Sequence, residues 1–448
     1  MASTDKKADE EWIDFTPSPR ILQALTGVPI SPLAAQLRGE TVTHREIEIT
    51  VPRPADIDRG DGSISIRDAG AGLDRRGLSN ALRAGYSEQN RFDALGLFGV
   101  GFNIAAGKLG NHTVITTSQR GEVNDLTVAY NLADIQQADR FSAPIGVSEK
   151  ADPVNSGTLV SITGWWPPGH QNHGFAKKLA SIGARKLRAD LGRRYATLLR
   201  DEEAPIEMFL NGDPIMPFEH CIWDDSRFVE RDGMQVPAVR RFDEEVARTR
   251  RCIRDGITPE TSAKECPNCG GTDFREVIER VHGWIGVQRY DDKDDFGIDV
   301  IRNGRAILVG ERDAFFRFTD EDGRAITEYP VDDVNGRIVG EVHLDHVPVH
   351  FTKSDFERAT FEWTRAMERI RGQALRPGRW EDGYSNTSPV SQLVRAYGRL
   401  RNFGPRDLYP AQWDPIKNKP ARLPREEEQD LIRRFRERED GYVDDTKW

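Results

Sequence analysis

Two glycine-rich segments and a cluster of cysteines are the parts of this sequence whose residue types and spacing suit chemistry. The first segment reads Asp68-Ala69-Gly70-Ala71-Gly72-Leu73 and follows SISIR, which alternates apolar and polar residues as a half-buried strand does. A carboxylate at the end of a strand accepts a hydrogen bond from an amine, such as the exocyclic amine of adenine. The glycines beyond it allow close backbone approach and positive φ angles. Alone, this pattern is equally typical of an ordinary turn.

The second segment, GLFGVGFN at Gly96–Asn103, stands more than twenty residues further along the chain. Its three glycines lead into a predicted helix at Ile104–Leu109, and bare amides at a helix N-terminus bind phosphate. The polar stretch between the two segments, Asp74–Leu95, suits a lid over a ligand. Gly157-Thr158 opens a later predicted strand and places a hydroxyl at a sheet end. Taken together, these features favour a nucleotide pocket over a simple turn.

In order and spacing, DAGAGL, GLFGVGFN and the late Gly-Thr resemble the GHKL ATPases, which include gyrase B, the large heat-shock chaperones, sensor histidine kinases, MutL and MORC. The resemblance covers about residues 20–165 and implies a two-layer α/β sandwich with ATP between sheet and lid. It implies that Asp68 binds adenine and that Thr158 supports it. The other residues that it assigns to the ATP pocket are Gly70, Gly72, Leu73, Gly96, Leu97, Phe98, Gly99, Val100, Gly101, Phe102 and Asn103.

The second half of the chain resembles the transducer domain of MutL, gyrase and especially MORC proteins, which has a fold like ribosomal protein S5. The segments that carry this resemblance are FGIDVIRNGR at Phe296–Arg305 and GRIVGEVHLDHVPVHFTKSDFE at Gly336–Glu357. In that domain a lysine reaches the γ-phosphate, and the matching residue is Lys353, whose compact charge suits a terminal phosphate. A solvated lysine at a helix N-terminus is the alternative. The sequence shows no phosphoacceptor helix, which counts against a kinase and favours a bacterial MORC/MutL-like protein.

The expected catalytic helix of the superfamily, roughly E-x-x-x-N-x-x-D, is the point at which the resemblance fails. In the family its Glu orients the attacking water and its Asn holds Mg²⁺. Residues 21–40 contain no Asn, and their only carboxylate is Glu40. Loss of a general base costs about 10²–10⁴-fold in rate, and Glu46 and Glu48, on a predicted strand, are poor substitutes. We therefore expect a weakened Mg²⁺ site, slow or absent hydrolysis and no identifiable catalytic residue, or else a non-hydrolysing scaffold with the same fold.

Three of the four cysteines lie within 18 residues of one another. Cys266-Pro267-Asn268-Cys269-Gly270-Gly271 is typical of a zinc knuckle, in which two thiolates sit on a turn that glycine keeps open. Cys252 and Cys221 complete a predicted set of four ligands for a structural Zn²⁺, with His220 as an alternative to Cys221. Reduced thiols without metal are the other interpretation.

Residues 175–200 predict one long helix with an apolar repeat and a strongly basic composition. Its cations are Lys177, Lys178, Arg185, Lys186, Arg188, Arg193, Arg194 and Arg200, against Asp190 alone. Clustered cations neutralise phosphates, so this helix is a candidate DNA-binding surface; a solvated helix face is the alternative. The expected partners are thus ATP, DNA through this helix, and a second copy of the chain on nucleotide binding.

Length and composition set the frame for these elements. The chain has 448 residues, a net charge of −10, and 37% hydrophobic residues, values typical of a soluble globular protein. The fold class that the resemblances imply is α+β. No apolar run approaches the roughly 20 residues that cross a bilayer, and the polar start favours a cytoplasmic location with no membrane partner. The expected organisation is a lead at 1–20, a GHKL domain at 21–172, a basic connection at 173–211, a less regular, cysteine-bearing insert at 212–278, an S5-like domain at 279–375, and a charged helical tail at 376–448.

Local patterns predict the elements of these regions. Alternation of apolar and polar residues predicts strands, at 45–51, 63–67, 112–117, 125–131 and 157–163. Asn303-Gly304 predicts a hairpin turn, and a helix is expected at 354–372.

Overall fold

Two compact units make up the protein in a computed structural model. The described residues are 45–82, 101–138, 143–203, 206–254, 256–260, 262–319, 322–331, 334–350, 353–380, 382–399 and 403–448. The first unit contains the chain up to residue 86, residues 99–191 and residues 207–215, and the second contains residues 87–98, 192–206 and 216–448. Residues 21–40, which were expected to carry the catalytic helix, and Gly96–Val100 of the second glycine segment lie outside the described residues.

The first unit contains an eight-stranded sheet in the order β5-β4-β3-β6-β2-β1-β7-β8. Neighbouring strands are antiparallel except for β1 and β7, which are parallel. The strands are β1 Glu46–Thr50, β2 Ile64–Asp68, β3 His112–Ser118, β4 Asn124–Asn131, β5 Ile145–Glu149, β6 Gly157–Thr163, β7 Glu207–Leu210 and β8 Asp213–Pro214. The strands predicted at 45–51, 63–67, 112–117, 125–131 and 157–163 are confirmed to within a residue or two, as is the mixed sheet.

Alternation along the strands explains how this sheet buries one face. Ile64 and Ile66 of β2 and Val160 and Ile162 of β6 are at most 5% exposed, and the residues between them are more accessible. Leu78, Leu109 and Leu179 are buried helix residues of the same unit. The helices here are α1 Pro54–Asp58, α2 Arg75–Leu82, α3 Gly101–Leu109, α4 Leu132–Ala138, α5 Phe175–Ser181 and α6 Ala184–Arg194, which ends just past the boundary of the unit.

The second unit is organised around a five-stranded sheet in the order β11-β12-β17-β13-β14. The elements are α7 Ala196–Leu199, β9 Phe228–Arg231, β10 Met234–Pro237, β11 Val239–Cys252, β12 Phe274–Asp292, β13 Gly297–Arg302, β14 Arg305–Glu311, α8 Asp313–Phe316, β15 Arg317–Thr319, β16 Ala325–Thr327, β17 Gly336–His343, α9 Phe361–Ile370, a 3₁₀ turn at Pro377–Arg379, α10 Pro389–Tyr397, β18 Ala411–Asp414, β19 Lys419–Arg422 and α11 Arg425–Arg436. The predicted Asn303-Gly304 hairpin turn is confirmed: both residues have positive φ, which such a two-residue turn requires.

The region 212–278, expected to be less regular, contains β11 and the start of β12, which form a long β-ribbon. β11 pairs with β12 from Val239↔Gly286 to Cys252↔Phe274. Because these strands also belong to the main sheet, Cys252, Cys266 and Cys269 are carried at one end of a continuous element. The charged, alternating sequence of β11 obscured this strand, since both ribbon faces carry Arg and Glu.

The single helix predicted at 175–200 is wrong: the segment forms α5, α6 and α7. Gly183, with φ +84°, separates the first two helices, and Tyr195 separates the last two. The helix predicted at 354–372 begins only at Phe361, where Thr360 caps it by accepting a bond from the Trp363 amide. The segment expected as a tail contributes Val390, Leu393 and Val394 of α10 to the main core of the second unit. No helix among the described ranges is long and apolar enough to span a membrane.

Candidate nucleotide pocket and cysteine cluster

Asp68 is the last residue of β2, and the sheet register places it beside two threonines. It pairs with Thr158 on β6, and Thr158 in turn pairs with Thr117 on β3. Three polar side chains therefore share one end of three adjacent strands. The structure thus brings together Asp68 and Thr158, two of the residues predicted from sequence to bind a nucleotide.

Hydrogen bonds define how the two threonine hydroxyls are used. The Thr117 hydroxyl donates to the Gly157 carbonyl at 3.0 Å, and its Oγ1 accepts the Leu73 amide at 2.9 Å. Thr158 Oγ1 lies 3.0 Å from Thr117 Oγ1. A hydroxyl has one hydrogen, so the arrangement that satisfies all three contacts has Thr158 donating to Thr117. The Thr158 oxygen can then still accept a hydrogen bond, as the Asp68 carboxylate beside it can.

The Asp68 carboxylate is half-buried, and the described residues provide no cation that pairs with it. Burial raises its pKa to about 6, against the opposing effect of hydrogen bonds from the backbone amides of Gly70 and Thr158. The bond from Gly70 to Oδ1 is 2.9 Å long. An ionised acceptor in such an environment forms a charge-assisted hydrogen bond with a donor such as a nucleobase amine, and this bond is strengthened because water screens the charge less.

Two glycines are required for this geometry. Gly72 has φ +70°, and a Cβ there would stand 1.9 Å from the Ser118 carbonyl oxygen. Gly157 has φ +138°, and a Cβ there would stand 2.0 Å from the Asp68 carbonyl oxygen. Any other residue at either position would push apart the turn and the strands that carry the acceptors.

Thr117 is the pocket residue that sequence reasoning missed. It is 1% exposed and links β3, β6 and the Leu73 turn through the three contacts described above. The sequence HTVITTS shows a strand with hydroxyls at Thr116 and Thr117. It does not show which strand lies beside β3, so this role depended on the register.

The second glycine segment is described only in part. Gly101, Phe102 and Asn103 form the first turn of α3, so the glycines do lead into a helix at this point. Gly96, Leu97, Phe98, Gly99 and Val100 lie outside the described residues, as do Glu40 and the rest of 21–40. Glu46 and Glu48 lie on β1, on the face opposite the buried Ile47 and Ile49. Their rejection as catalytic bases stays a prediction.

Lys353 belongs to the second unit and has an unusual backbone, with φ +52°. Burial, together with the charges of Arg305 and Arg302, lowers its pKa to about 8. Both arginines are themselves at most 5% exposed. Lys353 is therefore held in a buried cationic neighbourhood, an environment that attracts an anion.

Three cysteine thiols converge at the end of the β11–β12 ribbon. The sulfurs of Cys252, Cys266 and Cys269 lie within 4.8 Å of one another, and those of Cys252 and Cys269 are 3.5 Å apart. The Cys266 amide donates to the Gly271 carbonyl, and the Gly270 amide, at φ +66°, donates to the Cys266 carbonyl. This is the knuckle turn predicted from CPNCGG. Close, mostly buried thiols on such a turn suit a soft divalent metal.

Cys221 and His220 are not part of this cluster, which corrects the predicted fourth ligand. Cys221 packs with Tyr290, Ile432 and Phe435, and burial raises the pKa of its thiol to about 12. The Cys221 carbonyl accepts the Arg289 amide, whereas Cys252 pairs with Phe274. At about 3.3 Å per residue, the stretch of β12 from Phe274 to Arg289 spans roughly 50 Å. Proximity in sequence to a cysteine-rich stretch misled the prediction.

His220 lies in a buried network of charges. Its ring makes edge contacts with those of Phe218 and Trp284, and Nε2 lies 3.6 Å from a carboxylate oxygen of Asp299. Arg193 donates to both oxygens of the same carboxylate at 2.8 and 2.9 Å. This histidine therefore packs inside the second unit, away from the cysteine cluster.

Several cations of the basic segment 175–200 form ion pairs with carboxylates of the same chain. Arg193 pairs with Asp299, and Arg200 donates to both oxygens of Glu341 at 2.7 and 2.8 Å. Lys177 lies 2.7 Å from Asp58, and Arg188 pairs with Asp213. The continuous basic face expected over 175–200 is thereby reduced, and DNA contact by this segment stays a prediction.

Comparison with known proteins agrees with the chemistry of the Asp68 pocket. No curated protein sequence gives a significant match to the chain. Residues 41–158, about a quarter of the chain, match the family model described as histidine kinase-, DNA gyrase B- and HSP90-like ATPase. This match runs from just before β1 to Thr158 on β6. Residues 41–158 are thus similar to the ATPase domains that this family model describes.

Proposed function

We propose that the protein binds ATP with adenine at Asp68 and acts as a nucleotide-dependent conformational switch or clamp of the MORC/MutL type. The observation that carries this proposal is the pair of acceptors, Asp68 and Thr158, which the pairing of β2 with β6 places side by side, with Thr117 fixing the Thr158 hydroxyl. The adenine amine is a donor that complements both. The same proposal gives the start of α3 to the phosphates and Lys353 to the γ-phosphate.

Hydrolysis in this proposal is slow or absent, because residues 21–40 contain neither the expected Glu pattern nor an Asn for Mg²⁺. A scaffold that binds nucleotide without turning it over is the alternative function, and the same deficit favours it. Steady-state ATPase assays separate the two functions. Robust turnover that survives replacement of Glu40, Glu46 and Glu48 would contradict the proposed defect. The MORC/MutL type also implies a role in DNA transactions or phage defence. It further implies that two chains form a homodimer when nucleotide binds.

Calorimetry with ATP and Mg²⁺ on the wild type and Asp68→Asn tests the pocket. The substitution would replace a charged acceptor with a neutral amide, which costs about 10–100-fold in affinity for a charge-assisted bond. Asp134→Asn is the matched control, because Asp134 is an exposed acid in the first turn of α4. Equal ATP affinity for the wild type and Asp68→Asn would refute the adenine assignment.

We further propose that Cys252, Cys266 and Cys269 hold a structural Zn²⁺. Thiolates are the ligands that zinc prefers in structural sites, where they bind at about 2.3 Å. The fourth ligand is not among the His, Cys, Asp and Glu side chains of the described ranges, which leave out residues 255 and 261.

Metal analysis of the purified chain tests this proposal. We expect one zinc per chain in the wild type and in Cys221→Ser, because Cys221 lies in a different cluster. Cys269→Ser should lose most of the metal. A chain with well under one zinc, or equal metal content in the two variants, would reject the site.

A further inference from the structure

The last two residues of β11 serve two different clusters. Cys252 contributes its thiol to the cysteine cluster, and Arg251, directly before it, has a side chain that is only 3% exposed. Successive residues of a strand point to opposite faces. One short piece of backbone therefore fixes a candidate metal ligand on one side and a buried guanidinium on the other.

The Arg251 guanidinium is bonded on all of its edges. Nη1 donates to the carbonyl of His346 at 2.9 Å, and Nε donates to the Thr249 hydroxyl at 3.2 Å. Nη2 lies 3.3 Å from Glu279 and 3.1 Å from Glu362. A planar guanidinium with its donors in a fixed fork tolerates little displacement of its partners. The position of the strand end is thus transmitted to each of these groups.

His346 lies in the loop between β17 and α9, and this loop also carries Lys353. The loop is fixed near its start, where the Leu344 amide donates to the Ile301 carbonyl at 2.8 Å, and Arg302 Nε donates to the Val347 carbonyl at 3.2 Å. Further on, the Lys353 amide donates to the His350 carbonyl at 2.8 Å. The bond from Arg251 to the His346 carbonyl is a direct contact between this loop and the cysteine-bearing end of β11.

We propose that Arg251 is a positioning residue that couples metal occupancy of the cysteine cluster to the conformation of the Lys353 loop. The proposal rests on the metal site proposed above. Metal bound to Cys252, Cys266 and Cys269 fixes the end of β11, and Arg251 holds the His346 carbonyl from that fixed backbone. Without metal, the end of β11 is held by its pairing with β12, which runs to Cys252↔Phe274, and by turn bonds such as that from the Cys252 amide to the Ile257 carbonyl at 2.9 Å. The coupling is reciprocal, so an anion that orders the loop raises the affinity for metal.

Hydrogen exchange of the full chain tests the coupling directly. The wild type is measured as purified, after metal removal by a chelator, and after addition of Zn²⁺. We expect the amides of residues 344–350 and 353–356 to exchange roughly tenfold faster without metal and to recover when Zn²⁺ is restored, because the loop opens locally when its anchor is loosened.

Arg251→Lys separates positioning from metal binding. Lysine keeps the charge but cannot contact His346, Glu279 and Glu362 at once. This variant should keep its zinc while the loop exchanges rapidly, and metal removal should have little further effect on the loop. Arg248→Lys is the matched control, because Arg248 lies on the same strand, is 55% exposed and also pairs with glutamates. It should behave like the wild type.

Glu362→Gln provides a second variant that leaves β11 unchanged. It weakens one Arg251 contact at the start of α9 and should raise loop exchange less than Arg251→Lys does. Loop exchange that ignores metal in the wild type, while the amides of 252–271 respond, overturns the coupling alone. A chain that binds no zinc overturns the metal site as well, so the two failures are distinguishable by metal content.

Discussion

Asp68 of the first unit and Asp299 of the second are carboxylates that are largely removed from water. Their pKa values are shifted from the ordinary value in opposite directions. Burial raises the pKa of Asp68 to about 6, with only backbone amides to oppose it. Burial also acts to raise the pKa of Asp299, but Arg193 and His220 outweigh it and lower the pKa to about 2. Asp299 is paired with Arg193, whereas the residues that the structure describes provide no ion-pair partner for Asp68. A desolvated acid with a raised pKa is a candidate to bind a ligand.

The largest expected effect is from removal of the neutralised carboxylate. Asp299→Ala leaves Arg193 buried without its bidentate partner, and breaking a buried pair from one side costs about 3–5 kcal/mol of unfolding free energy. Asp68→Asn should leave the unfolding free energy unchanged or slightly higher, because it removes an uncompensated charge. Urea denaturation followed by fluorescence measures both. Comparable losses of stability for the two variants would show that both acids are structural.

The unfolding free energy should depend on pH in opposite ways through Asp68 and Asp299. The folded-state pKa of Asp68 lies above its ordinary 3.8, so its contribution to stability is present below pH 3.8 and is lost as pH rises through 6. The pKa of Asp299 is lowered, so its contribution is present above pH 3.8 and is lost as pH falls towards 2.

Nucleotide binding should follow the ionisation of Asp68. The ionised carboxylate is the acceptor, so ATP affinity should fall about tenfold per pH unit below pH 6, up to the limit set by the change in pKa on binding. Adenosine, whose lack of phosphates removes their own titration, should show the same trend in calorimetry between pH 5 and 8. A flat profile for adenosine would contradict the assignment of Asp68.

A smaller loss of ATP affinity is expected from substitution of Thr117, which orients the Thr158 hydroxyl. Thr117→Val removes the bonds to Gly157, Thr158 and the Leu73 amide while keeping the shape, and each bond contributes about 0.5–1.5 kcal/mol. We expect ATP affinity to fall about 5–20-fold, with recovery in Thr117→Ser. Thr116→Val is the control, because its hydroxyl contacts Thr127 instead. Equal affinity in both valine variants would remove Thr117 from the pocket.

The smallest effect is expected at exposed ion pairs. Lys177→Ala breaks the contact with Asp58, in which both side chains are about half exposed. Such pairs contribute about 0–1 kcal/mol because water screens them. Thermal denaturation should therefore show little change, in contrast to Asp299→Ala. A large loss of stability would mean that Lys177 has a role in packing that its exposure does not indicate.

Local sequence pattern was sufficient to predict several strands and the hairpin turn at Asn303-Gly304, whose backbone few residues can adopt. Alternation predicted β2, β3 and β6, and Asn303-Gly304 predicted its hairpin because few residues accept positive φ. The pattern failed for the long helix, which Gly183 interrupts, and for β11, whose charges hide its strand character. In both cases the environment of the side chains, and not their order, decided the structure.

The sequence by itself determined the acceptor at Asp68, the glycines around it and the knuckle turn at Cys266 and Cys269, because these depend on neighbours within a few residues. Only the tertiary structure decided that Thr117 contacts Thr158, that Cys221 lies outside the cysteine cluster, and that Arg251 contacts the Lys353 loop. Strand register and the pairing of distant buried charges set these contacts. They depend on the free energy of burying the whole sheet, which no short stretch of sequence contains.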